Sequence, residues 1–487
     1  MLEDWSDLAP AMKRIMLNLL VALAVGSALN LQPSTALAQV IIFTNPAPAA
    51  NDNFGGSVAA AGTDRVLIGS PGHKTGLTNV GAAYLFSTNG ALLTTFLNPK
   101  PSYNDNFGSS VAAVGTDRIL IGLPTRQVAG NPAGVVDLFS TNGVMLLTIT
   151  NPSPTMSANN FGASMAAVGT DRVLIGATGN YTGATESGAA YLFGIDGTLL
   201  QTFSNPTPAA YENFGYSVAM VGTDRVLIGA AYAYSSFWQV GAAYLFSTNG
   251  ALLATFPNPL PAGADDMFGS TVAGVGTDYV LIGAPGVDIS AEVADVGAAY
   301  LFSTNGTLLF TFTNPAPANA EDFGSPVATL GTDRVLIGAP YETTVAGLTG
   351  AAYLFSTNGA LLTTLTDPVP ADLVLFGSSL ATLGTDRVLV GAPFDNTGAN
   401  AAGAVYLFST AAQPSGAPRL SILLTTTNAV ALSWPSPSTG WTLQQNTNGL
   451  ASVNWSNAPG TIEDDGSTNT LIINPQTGNW FYRLFKP

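Results

Sequence analysis

The chain has 487 residues, a formal net charge of −16, no Cys and one His, and charged residues make up only 9% of it. These counts exclude a disulfide framework, thiolate-bound zinc or iron–sulfur centres, a thiol nucleophile and any site that needs two imidazoles. The acidic balance argues against non-specific nucleic-acid binding, which needs Lys and Arg against phosphates, and a hydrophobic content of 47% sets the chain apart from disordered sequences.

The first segment reads as an address. Met12-Lys13-Arg14 is a basic start, Ile15 to Leu29 is largely apolar, and Ala36-Leu37-Ala38 is a small-x-small cleavage site. This pattern predicts a secretory signal peptide over 1–38, with Met12 as the start and cleavage before Gln39. A retained membrane anchor is the other reading, but the apolar run is short against the ~20 residues of a membrane span. No later segment is long and apolar enough to cross a bilayer.

From residue 39 to 410 the chain repeats itself. Phe-Gly recurs at Phe54, Phe107, Phe161, Phe214, Phe268, Phe323 and Phe376, at steps of 53 to 55 residues, and a fixed period of this length marks a repeat architecture. Each copy predicts four short strands. In order these are A (as in Ser109–Val114), B (Arg225–Ile228), C (Ala242–Phe246) and D (Leu252–Phe256). Gly-Thr-Asp-Arg joins A to B. Asn-Gly or Asp-Gly joins C to D, as at Asn249-Gly250 and Asp196-Gly197, which predicts two-residue type I′ hairpins. Small residues fill A and bulky ones fill D, the taper of a propeller blade running from axis to rim.

The ends of the array are out of phase by one strand. The seventh copy stops after Val405–Ser409, without a strand D, while Val40-Ile41-Ile42-Phe43-Thr44-Asn45-Pro46 matches a D strand and has no copy of its own. The expected fold is therefore all-β: a seven-bladed propeller of four-stranded blades, closed by the N-terminal strand. Residues 411–418 read as a linker. Residues 419–487 read as a small β-sandwich of immunoglobulin or fibronectin-III type, with strands at Leu420–Leu424, Ala429–Trp434, Trp441–Gln445, Thr470–Ile473 and Trp480–Leu484.

Phe-Gly followed by Gly-Ala-Pro, complete at Gly283-Ala284-Pro285, Gly338-Ala339-Pro340 and Gly391-Ala392-Pro393, and then by Gly-Ala-x-Tyr-Leu-Phe, resembles the FG-GAP repeat of integrin alpha subunits and of secreted bacterial proteins. The resemblance implies a propeller that engages extracellular partners through one loop face. Integrin-type calcium loops lie between strands A and B; here that hairpin holds a single carboxylate (Asp64, Asp117, Asp171, Asp224, Asp278, Asp333 or Asp386), against the six to eight oxygens that calcium takes. The family's calcium sites are not carried over. Each Asp is expected to shape its hairpin and pair with the neighbouring Arg. No cofactor is expected, beyond weak Ca2+ binding on the acidic loop face described next.

The A–B and C–D hairpins are near-identical between copies and read as scaffold. The D–A and B–C loops fall on the other face, vary in sequence and keep their lengths, which is how loops on a rigid frame carry function. D–A loops hold Asp52, Asp105, Glu212, Asp265, Asp266, Glu321, Asp322 and Asp372. B–C loops hold Glu186, Asp288, Glu292, Asp295, Glu342 and Asp395, against Lys74, Lys100 and Arg126. Such a face favours cations or a basic partner, unless the acids only solubilise the chain and shape Asx turns. His73 reads as an ordinary surface residue. Tyr232, Tyr234, Phe237 and Trp238 crowd one B–C loop, as anchors for a protein or stacking surfaces for a glycan, or as local packing. The candidate ligand-binding residues are these four with Asp265, Asp266, Asp288, Glu292 and Asp295.

The expected function is that of a secreted or cell-surface, monomeric binding or adhesion protein whose partner is an extracellular protein or glycan. The alternatives are a structural surface component without a ligand, and a glycan hydrolase or lyase built on paired carboxylates such as Asp265/Asp266 with Asp288, Glu292 or Asp295.

Overall fold

The computed structural model describes residues 40–155, 158–235, 238–260, 265–288, 294–344, 346–410 and, in shorter stretches, 420–424, 430–437, 440–446, 455–466, 468–473 and 481–485. The expected signal peptide and linker lie outside these residues, and so do Phe237 and Glu292.

Every element among the described residues is a strand or a turn. In the fourth repeat, strands Phe214–Val221, Arg225–Ala230, Ala242–Ser247 and Leu252–Pro257 form one antiparallel sheet in chain order. Among the described residues of the repeat region, seven sheets of four strands follow this plan. Strand B, as in Val226, Leu227 and Ile228, is buried on both faces because each sheet is covered by a neighbour on either side. Strand D buries only its Phe: Phe256 is buried, while Leu252 and Leu253 stand exposed at the rim.

The sheets close on one another. Val40–Thr44 pairs antiparallel with Ala404–Ser409, Val40 opposite Phe408 and Thr44 opposite Ala404, and so becomes strand D of the last sheet. The joint is sealed three more times. Ser379 Oγ donates to the Gly55 carbonyl at 2.7 Å, an Arg387 guanidinium nitrogen donates to the Thr63 carbonyl at 2.7 Å, and the Phe54 amide donates to the Ala402 carbonyl at 3.0 Å. Bonds of the same kinds recur between other neighbouring sheets, as in Ser57 Oγ to Gly108 O at 2.8 Å and Arg65 to Thr116 O at 2.6 Å.

These contacts explain the Gly of Gly-Ala-Pro. A Cβ on Gly391 would lie 2.1 Å from Ser379 Oγ and 2.3 Å from the Gly55 carbonyl, so the neighbouring sheet can approach only a bare Cα. They also revise the hairpin arginines. Each stays near its own Asp, as at 3.4 Å between Arg65 and Asp64, but four of them, Arg65, Arg225, Arg334 and Arg387, also donate to the next repeat's Thr carbonyl.

The C–D turns differ from the expected type I′ geometry, which needs positive φ at both central residues. Gly90 has φ 91°, while Asn89 is not in the positive region. The amide of Ser87 bonds the Ala91 carbonyl, and the ladder slips between Leu85 and Phe86. This is the longer loop in which a left-handed Gly forms a bulge. Ser87 Oγ donates to Asn89 Oδ1, which supports the tighter first turn. The ladder between Val40–Thr44 and Ala404–Ser409 joins strands with no hairpin between them and runs without a slip.

The described C-terminal residues form two further sheets, one of four strands containing Val430–Pro435 and Thr468–Ile473, and one of three containing Thr442–Asn446 and Phe481–Phe485. Leu432, Trp434, Leu443 and Leu471 from both sheets share one core, which makes a sandwich.

Candidate binding face

Backbone hydrogen bonds sort the loops into two faces. The amide of Thr88, in a C–D turn, bonds the carbonyl of Asp64 in the A–B turn beside it. On the opposite side the D–A loop bonds the preceding repeat's B–C loop, as Asn51 N does to Asn400 O and Asn106 N to Asn79 O. Variable loops thus gather on one side.

A clasp holds five of the seven D–A loops. Asn45 Oδ1 accepts from Ala47 N at 3.0 Å, and its Nδ2 donates to Asp52 Oδ2 at 2.8 Å. Asp52 also accepts from Ala49 N at 2.8 Å. The same pair recurs as Asn98–Asp105, Asn205–Glu212, Asn258–Asp266 and Asn314–Glu321. All five acids are buried, and each accepts from an amide N–H group in place of water. Asp266, expected to face a ligand, is therefore an internal strut, as are Asp52, Asp105, Glu212 and Glu321. The signal was present in the sequence: each acid follows the Asn of Asn-Pro by seven or eight residues.

Two B–C acids are also internal. Glu342 accepts from the Tyr353 hydroxyl, and Asp395 accepts from Tyr406 at 2.7 Å. Burial, followed by the pull of the neighbouring acids, pushes Tyr353 and Tyr406 far above the ordinary phenol range. His73, expected on the surface, is mostly buried, with Nδ1 3.7 Å from Asp52 Oδ2 and its ring edge-on to Tyr84 at 6.4 Å.

Asp265, Asp288 and Asp295 remain exposed. Asp288 Oδ1 accepts from the Asp295 amide at 2.9 Å. Burial and then the charges of Asp288 and Asp265 raise the carboxyl of Asp266. Asp322, half-buried, is pushed up to about 6 by burial and by Asp295. Negative potential therefore concentrates where the fifth B–C loop meets the sixth D–A loop. Among the described residues, no group of three or more His, Asp or Glu side chains could hold a metal ion.

The aromatic loop divides. Tyr232 is half-buried, edge-on to Tyr216 of strand A with ring centroids 5.9 Å apart, which is the local packing alternative. Tyr234 and Trp238 lie on a two-stranded ribbon, Tyr234 opposite Gln239 and Ser235 opposite Trp238. Other exposed rings on this face were not singled out from the sequence: Tyr103, Tyr181, Tyr211, Tyr341 and Phe394. Tyr341 and Phe394 occupy the repeat position of Tyr232, directly after Gly-Ala-Pro, so aligning the copies would have revealed them.

Four-stranded antiparallel sheets ringed face to face, with scaffold turns on one side and varied loops on the other, define a β-propeller. More specifically, the chain carries FG-GAP repeats: the family model described as FG-GAP repeat matches residues 38–86 and 204–246. Among curated proteins, none matches the sequence. The solved structures it matches include the WD40 β-propeller domain of Doa1, at 13% identity and a TM-score of 0.46 over 76% of this chain and 97% of that one, a likeness from which nothing about the site is drawn.

Proposed function

We propose that this chain is an exported binding protein that holds an extracellular protein or glycan on its D–A and B–C loop face. The observation that carries the reading is the gathering of chemically varied loops on one side of a repeated frame, with Asp265, Asp288 and Asp295 exposed and Tyr341 and Phe394 exposed on the same side. FG-GAP repeats are typical of extracellular proteins, and the Met12–Ala38 pattern supplies the export signal. Among the described residues no helix is long and apolar enough to cross a membrane. The reading has no catalytic step: Asp266, half of the Asp265/Asp266 pair, is engaged by Asn258. The acidic patch favours a basic partner surface, and the exposed rings supply apolar anchors.

Glycan arrays and cross-linking pull-downs from the producing cells, with Asp288→Asn/Asp295→Asn and Tyr341→Ala/Phe394→Ala variants, test this. Binding is expected to fall by about tenfold or more in one of the pairs, and to be untouched by Asp64→Asn on the scaffold face. Equal losses from both faces, or none from the loop face, would remove the loops from the function.

A further inference from the structure

The second repeat departs from the other six in strand C, most sharply where it has Asp137. Strand C reads Ala-Ala-Tyr-Leu-Phe or Ala-Val-Tyr-Leu-Phe elsewhere, and Val135-Val136-Asp137-Leu138-Phe139 here. Asp137 keeps the register of the tyrosines. It lies opposite Ile121 and Thr148, as Tyr84 lies opposite Ile68 and Thr95. Elsewhere the tyrosine ring packs beside the Phe of Phe-Gly, as Tyr84 does against Phe54 at 5.7 Å. In the second repeat a cavity of about 420 Å³ stands beside Asp137, lined among others by Lys100, Arg126, Met145, Thr148 and Thr150.

The chemistry of this cavity is specific. Asp137 is 5% exposed, and its Oδ1 accepts from Thr148 Oγ1 at 2.6 Å. A carboxylate buried this deeply with one donor is under-solvated and gains from any further N–H or O–H that reaches it. Burial accordingly raises its carboxyl, against the pull of Thr148, Arg126 and Lys100. Arg126 is anchored to Asp105 at 2.7 Å, which fixes its guanidinium at the wall, and Lys100 is exposed on the D–A loop. Two of the three bases of the loop face thus meet at this cavity, on a chain that otherwise repels anions.

We infer that the cavity binds a small molecule that joins a carboxylate to hydrogen-bond donors, the carboxylate toward Lys100 and Arg126 and the donors toward Asp137 and Thr148. An α-amino acid, with an ammonium donor, and a uronic acid, with hydroxyl donors, share this chemistry. The site lies within the second repeat and does not rest on the partner-binding reading.

Calorimetric titration of the full chain at neutral pH with L-alanine, D-glucuronate and D-glucose tests the inference. Saturable binding of the first or second, about tenfold or more above D-glucose, is expected because a charge-assisted contact is the stronger one, and the tighter ligand identifies the donor. Asp137→Tyr restores the residue with which six repeats fold and is expected to abolish binding. Asp137→Asn keeps the volume and is expected to weaken binding about tenfold. No saturable binding of either acid, D-glucose bound as tightly as the acids, or undiminished binding to D137Y overturns the inference. Should D137Y fail to fold by circular dichroism, D137N and Lys100→Ala decide, and unchanged affinity in both overturns it.

Discussion

Asn314 and Glu321 illustrate how a loop of Pro, Ala and Asn is held in one shape. Glu321 accepts from Asn314 Nδ2 at 2.7 Å and from Ala318 N at 2.7 Å, and it is 1% exposed. Asn314→Ala leaves a buried carboxylate short of a donor and is expected to cost about 1–3 kcal/mol, read from urea unfolding. Asp322 beside it shows the opposite economy. Its carboxyl rises from 3.8 to about 6 through burial and Asp295, so the fold favours the protonated form. That contribution is complete below 3.8 and is lost as the pH rises through about 6. Asp322 also sits at φ 53°, where the first four repeats place Asn53, Asn106, Asn160 and Asn213 at similar positive φ, and Asn tolerates this left-handed region. Asp322→Asn is therefore expected to melt higher than the parent at pH 7, with the gap closing below pH 4. A constant gap across that range would show that the charge is not the cause.

Between elements, stability comes from a contact repeated at six of the seven interfaces, a strand-A hydroxyl on the next sheet's Phe-Gly carbonyl, packed over a bare strand-B glycine; Pro326 takes the hydroxyl's place at the other. Ser379 and Gly391 form the copy of it that closes the ring. Gly391→Ala drives a Cβ into both the hydroxyl and the neighbouring carbonyl and is expected to cost about 1–3 kcal/mol. Ser379→Ala removes only the hydrogen bond and leaves the Gly55 carbonyl buried, for about 1–3 kcal/mol. The two changes share one contact, so the double variant should fall short of their sum; thermal melts of the four proteins measure this. Strict additivity would mean the hydroxyl and the glycine act separately.

For the whole molecule, the decisive joint is the first strand. Phe43 is 1% exposed, meets Phe86 edge-on at 5.4 Å, and belongs to a core shared by the first and last sheets, with Phe54, Val66, Leu389 and Val405. Phe43→Ala is expected to cost about 3–5 kcal/mol. It should also free the amides of Val40–Thr44 to exchange well ahead of Leu252–Pro257, a strand D tied in by its hairpin. Exchange that stays uniform across the strand-D ladders would mean that Val40–Thr44 is not the weak point of the ring.

Period, strand order and the one-strand phase offset were all legible in the chain, because strands and turns follow from local patterns and a repeat states its pattern seven times. The pairing of Val40–Thr44 with Ala404–Ser409 follows from that offset alone. Whether a loop acid meets water or an asparagine was not so readily legible, since burial depends on which neighbouring loop covers the acid: Asp265 stays exposed while Asp266, one residue on, is a strut. The turn type at Asn89-Gly90 was misjudged for a related reason, as Ser87 and the bulge it supports choose between two geometries that the same dipeptide allows. Asp137 was legible as an odd residue in strand C, but only packing turns a missing ring into a cavity with two cations at its wall. Local sequence thus dictated the elements and their cyclic order, whereas solvation, and with it the chemistry available to a ligand, was settled by what the folded sheets and loops place against one another.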